Sequence, residues 1–160
     1  MKLFVRITVF VMGILIGASV ILVPYLIQAT SLRHKDEVKI NDQFITVDVV
    51  KDPADRDKGL SGRSELGINE GMLFIFDTAD LYGFWMKGMQ FPIDIVWIKN
   101  NAVVGFVANV DPQIGASLPS LRVYYPPEPV DRVLELKAGR TALLRLQVGD
   151  AVHARPLVSQ

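Results

Sequence analysis

The stretch Gly83 to Lys99, GFWMKGMQFPIDIVWIK, constrains this chain most. It holds both tryptophans, Trp85 and Trp97, and its apolar run is interrupted by Lys87 and Asp94. A segment this apolar must be buried, and a polar group carried inside with it needs a partner. The stretch is therefore the centre of the core or the wall of a site. Pro92 permits only a strand start or an edge, so Ile93 to Ile98 reads as a strand. Alternation puts Asp94 on one face with Pro92, Val96 and Ile98, and Ile93, Ile95 and Trp97 on the other. Gly83 to Lys87 reads as a second strand, joined to the first by a turn at Gly88 to Phe91. That arrangement brings Lys87 and Asp94 together and makes both tryptophans core residues.

The chain has 160 residues, enough for one domain and an appendage. No charge occurs from Ile7 to Leu32. Within this run, Ile7 to Ala29 as a helix reaches roughly 35 Å at about 1.5 Å per residue, enough for a hydrocarbon core of about 30 Å. An uncleaved, single-pass membrane anchor fits that length better than a cleaved secretory signal, whose apolar part is usually shorter. Ile27-Gln28-Ala29 still offers a passable cleavage site, which would make the protein secreted. Either way, residues 1–35 are an N-terminal signal or anchor with basic flanks, and residues 36–160 an exported, extracytoplasmic domain. Lys2 and Arg6 favour a cytoplasmic N-terminus, while Arg33 and Lys35 weaken the asymmetry.

All 17 acidic residues follow this segment, with 13 of the 17 Lys and Arg, so residues 36–160 carry a net charge near −4. Nucleic acid wants a basic face, which argues against it as a partner. The absence of cysteine excludes disulfides and thiolate metal sites.

Glu37 to Val50 alternates around Asn41-Asp42 and signals a β-hairpin. Asp52, Pro53 and Asp55 start a short helix over 53–59 that Gly59 ends. Gly62, Gly67 and Gly71 mark a loop. Met72 to Phe76 is a short buried strand. After the two strands of the opening stretch, Asn100-Asn101 turns the chain into Ala102 to Val110. These successive strands predict an antiparallel meander. Asp111 to Pro129, with five prolines, is a long irregular loop. Arg132 to Lys137 is a strand, Arg140 to Gln147 a helical turn or two, and Ala151 to Ala154 the last strand.

Little of the chemistry is specific. With His34 in the basic flank and His153 on the last strand, a multi-histidine metal site is excluded, and no cofactor is implied. Ser61 lacks the spacing of a nucleophile elbow, and Arg56, Lys58 and Arg63 flank a glycine-rich loop that lacks P-loop spacing. Asp94, Glu135 and Asp150 are candidate carboxylates for a glycosidase-like pair, although Asp150 reads as a turn residue and Glu135 as solvent-facing. Asp94 stands out. Paired with Lys87 or Arg63, it makes a buried ion pair fixing the core. Unpaired, it makes the polar floor of a cleft walled by Trp85, Phe84, Tyr82 and Tyr124.

Six blocks in order resemble the DUF192 family of uncharacterised proteins. They are Lys58-Gly59-Leu60-x-Gly62-Arg63-x-x-Leu66; Gly71-Met72-Leu73-Phe74-x-Phe76; Phe84-Trp85-Met86-Lys87; Pro92-Ile93-Asp94-Ile95 with Trp97-Ile98; Val133-Leu134-Glu135-Leu136-x-Ala138-Gly139; and Val148-Gly149-Asp150-Ala151-Val152. The resemblance covers about residues 37–155. The family usually follows Met-Lys with Asn-Thr, where this chain has Gly88-Met89. The resemblance implies a mainly β (α+β) domain, a compact antiparallel pseudo-barrel with one or two short helices. It implies no settled activity; ligand binding, with carbohydrate as the class, follows by analogy.

The expectation is a binding domain at the cell envelope that is not an enzyme. Its candidate ligand-binding residues are Arg63, Trp85, Lys87, Asp94 and Tyr124, with no catalytic residue and no metal site. The alternatives are a small envelope hydrolase using a carboxylate pair, and an accessory protein that docks an envelope partner through its aromatic face.

Overall fold

A computed structural model describes residues 35–156. The expected membrane or signal segment lies outside the described residues. Among the described residues no helix is long and apolar enough to cross a membrane.

Among the described residues, nine strands and two short α-helices make up the domain. β1 (Lys35–Ile40) and β2 (Gln43–Val50) form the expected hairpin. Its loop is Asn41-Asp42, both at positive φ (48° and 61°), as a two-residue primed turn requires. The same device, Asn100 (51°) and Asn101 (65°), joins β5 (Ile93–Lys99) to β6 (Ala102–Val110). Between β2 and β3 (Glu70–Asp80) lie α1 (Pro53–Lys58) and the glycine-rich loop. Pro53 opens α1 and Gly59 ends it at positive φ, as expected.

The seven-stranded sheet runs β6-β5-β8-β3-β2-β1-β9, where β8 is Val130–Lys137 and β9 is His153–Pro156. β4 (Phe84–Trp85) leaves this sheet and pairs with β7 (Val123–Tyr124) from the proline-rich segment. The meander is thereby corrected. β3 lies beside β2 and β8, and its pairing with β2 is parallel, which the crossover through α1 makes sterically possible. The sheet is mixed, not antiparallel. Nor is Gly83 to Lys99 a pair of adjacent strands, because β4 and β5 belong to different sheets.

The chain leading into β9 also reaches the opposite edge. Ala151 bridges Ala102, and Val152 donates to the Asn101 carbonyl at 2.8 Å. The sheet curls without closing into a barrel, so the pseudo-barrel expectation holds only as a mainly β domain with two short helices.

Each face of the sheet carries its own core. On one, Val38, Ile45, Leu73, Val96, Ile98, Leu134 and Leu136 pack with Leu144 of α2 (Arg140–Leu144), Leu146 and Val152. On the other, Met72, Phe74, Ile93, Ile95, Trp97 and Val133 pack with Leu60, Leu66, Met86 and Met89. The alternation read along β5 is observed: Val96 and Ile98 lie in the first core, and Ile93, Ile95 and Trp97 in the second.

Candidate functional site

Among the described residues the carboxyl groups of Asp48, Asp94 and Glu135 are buried in the sheet, and the surroundings of Asp94 and Glu135 differ. Asp94 on β5 is fully buried. Its Oδ1 accepts from the backbone N–H of Asn109 (2.8 Å) and of Gly139 (3.1 Å). Its Oδ2 accepts from the Thr141 N–H (2.8 Å) and hydroxyl (2.7 Å). These four donors tie β5 to the end of β6 and to the turn that starts α2. Neither Lys87 nor Arg63 is among them, so the expected buried ion pair is replaced by a hydrogen-bonded one-residue hub. The Lys87 side chain is exposed, while its carbonyl accepts from the Ser61 hydroxyl at 2.7 Å.

Glu135 lies on β8, opposite Met72 on one side and Ile95 on the other, and so belongs to the second face. The solvent-facing position expected for it is corrected. Glu135 is 5% exposed, and its buried Oε2 has no hydrogen-bond partner among the described residues. Burial pushes its pKa up to about 8, against a weaker opposing pull from the positive charge of Arg63. Arg63 itself forms an ion pair with the mostly buried Asp48 on β2.

Glu135 lies at the floor of a cleft of about 270 Å³. Phe74, Phe76, Tyr82, Phe84 and Trp85 wall it, and Gly59, Leu60, Ser61 and Met89 complete the lining. Arg56, Asp57 and Lys58 of α1 stand at the more exposed end. The rings are locked together: Phe76 stacks on Tyr82 with centroids 3.6 Å apart and planes 10° apart, and Phe84 meets Phe74 edge-on at 5.1 Å. The Arg56 guanidinium sits 4.9 Å from the Phe76 centroid and donates to the Ile75 carbonyl.

The short β4–β7 sheet presents Phe84 and Trp85 to the cleft. It approaches so closely that a Cβ at Gly83 would lie 2.7 Å from the Val123 side chain, so a larger residue there forces Val123 or Tyr125 to shift. Gly88 takes positive φ (69°), a conformation that suits Gly or Asn, and Met89 then points into the cleft lining.

Of the five residues singled out from the sequence, only Trp85 lines the cleft. It is 42% exposed and not the core residue expected, which leaves the indole partly open at the rim. Arg63 lies behind Glu135 in the ion pair with Asp48. Tyr124 pairs with Phe84 across the small sheet, beneath the Arg122 guanidinium. Asp94 and Lys87 lie elsewhere. The aromatic wall is legible in the sequence; the carboxyl at its floor is Glu135, not Asp94. The signal for it lies in VDRVLELK, where Val133 and Leu134 are apolar on successive positions. Such a strand is covered on both faces, so Glu135 has no solvent to face.

The carboxylate pairs considered from the sequence do not share this cleft. Asp94 and Glu135 point to opposite faces, and Asp150 accepts from Asn41 and from the Gln147 N–H in a turn. Among the described residues no group of three or more His, Asp and Glu side chains is placed to hold a metal ion.

The family model of DUF192, described as Uncharacterized ACR, matches residues 36–154. The chain belongs to the DUF192 family. Two solved structures are similar to this family member. One is from Sinorhizobium meliloti 1021 and is described as a proposed transcription regulator. It is 27% identical with a TM-score of 0.69, over 78% of this chain and 98% of that one. The other, a protein of unknown function from Novosphingobium aromaticivorans DSM 12444, is 28% identical with a TM-score of 0.64, over 74% of this chain and 83% of that one. No curated protein matches.

Proposed function

We propose that this DUF192 domain is a binding module, held outside the cytoplasm by its N-terminal segment, that takes a small carbohydrate ring into the aromatic cleft. The observation that carries the reading is the buried, unpartnered Oε2 of Glu135 at the floor of that cleft. A polar atom left unsatisfied in an apolar setting costs about 1–3 kcal/mol, and a ligand hydroxyl recovers that cost. Ring faces at Phe84 and Trp85 suit the C–H faces of a sugar, and few polar anchors in an apolar pocket are the usual composition of a ligand site. The size supports a single ring, since about 270 Å³ is just below the usual range of drug-sized pockets. The net negative charge of residues 36–160 gives no support to a nucleic-acid partner.

A thermal-shift screen of mono- and disaccharides on the full chain tests the reading. A stabilising sugar is expected, with its effect lost in Trp85→Ala and in Glu135→Leu. No shift with any sugar, or shifts unchanged in both variants, would overturn it. Fractionation tests the envelope placement: full-length protein in the soluble fraction of lysed cells contradicts an anchor.

One observation favours a second reading, docking of an envelope protein. Leu81, Trp85 and Tyr125 are 50%, 42% and 60% exposed around the β4–β7 sheet, an apolar surface of the kind partners cover. A failed sugar screen moves the weight there.

A further inference from the structure

The charges around the cleft narrow the ligand further, on the basis of the sugar-binding reading above. Its floor is uncharged near neutral pH, because burial keeps the Glu135 carboxyl protonated up to about 8. Its exposed end carries two cations, Arg56 and Lys58, against one carboxylate, Asp57. At Phe76 the place for a ligand cation is already taken. Aromatic rings attract cations over their faces, but one face of Phe76 is covered by Tyr82 and the Arg56 guanidinium lies over the ring. Lys58, by contrast, is exposed and has no ion-pair partner among the described residues.

We propose that the cleft selects an acidic sugar, with its ring against Phe84 and Trp85, a hydroxyl on Glu135 and its carboxylate at Lys58. A neutral carboxyl at depth accepts a hydroxyl without repelling the anion, and an amino sugar meets cations at the mouth with no ionised acid below to offset them. Lys58 is then the residue that sets specificity, and Asp57 opposes it.

Calorimetric titration of the full chain at about pH 6.5, below the Glu135 transition, tests this with three probes that share one ring: glucuronate, glucose and glucosamine. Glucuronate is expected to bind about fivefold tighter than glucose, the size of effect a partly exposed ion pair supplies, with glucosamine weakest. Lys58→Gln is expected to bring the glucuronate affinity down to that of glucose. Asp57→Asn is expected to raise the glucuronate affinity. Both positions are exposed, so the variants keep the fold. Glucosamine binding as tightly as glucuronate, or a glucuronate preference that survives Lys58→Gln, overturns the proposal. Failure of all three probes overturns it too, and the wider sugar screen then decides separately whether carbohydrate binding falls with it.

Discussion

Asp94 and Glu135 are one step apart on neighbouring strands: Asp94 pairs with Leu136, and Glu135 with Ile95. That single step puts them on opposite faces of the sheet. Asp94 meets four donors and is closed off. Glu135 meets rings, with an oxygen left over. The nearby Trp97, on the same face as Glu135, likewise keeps a buried indole N–H without a partner among the described residues. Burial alone therefore does not separate the two carboxyls; the hydrogen bonds each one accepts do. The first face uses its polar group to hold the fold, and the second keeps one unused where a cleft opens.

The comparison breaks most visibly at Asp94. Asp94→Asn turns one acceptor oxygen into a donor that faces donors, and removes the charge that strengthens the remaining bonds. The expected loss is about 3–5 kcal/mol of stability, read from the denaturant midpoint. A loss below about 1 kcal/mol would mean that the hub is not structural.

The next effect belongs to Glu135 and depends on pH. Its pKa rises on folding from 4.5 to about 8, so between these values the folded state holds a proton that the unfolded chain has released. Stability is therefore highest below about pH 4.5 as far as this group is concerned, falls as pH rises, and levels off above about 8. The fall is expected to be a few kcal/mol, since every tenfold difference in proton affinity between the folded and unfolded chain is worth about 1.4 kcal/mol. Glu135→Gln should remove this component and be the more stable protein at about pH 9, above the transition. Identical slopes for the two proteins across this range would contradict the assignment.

The smallest effect sharpens the contrast from the other side. Trp85 is open at the rim, so Trp85→Ala is expected to cost less than about 1 kcal/mol of stability while abolishing ring binding. A loss of several kcal/mol would make Trp85 a core residue after all.

Much of the fold is legible in the residues themselves. Both Asn-containing turns, the Pro53 start and Gly59 end of α1, and the two-faced pattern of β5 follow from local rules of φ, capping and alternation. Pairing partners do not. Nothing local in Gly83 to Lys87 tells it to join the distant Val123–Tyr124 instead of β5. Nothing in Met72 to Phe76 announces a parallel neighbour. These are long-range choices fixed by how the two cores are covered. The site divides in the same way. Its aromatic side is visible because Tyr82, Phe84 and Trp85 are close in sequence. Its floor is legible only in part: successive apolar Val133 and Leu134 mark a strand covered on both faces, but what Glu135 meets depends on β3 and β5 lying on either side of β8.

The most direct measurement is the titration of the Glu135 side-chain carboxyl by carbon NMR, assigned by its absence in Glu135→Gln. The expected result is a single carboxyl with a midpoint near 8, shifting when a cleft-binding sugar is added. A midpoint in the ordinary glutamate range near 4.5, unmoved by any sugar, would show an ionised and already satisfied group, and the contrast with Asp94 would be lost.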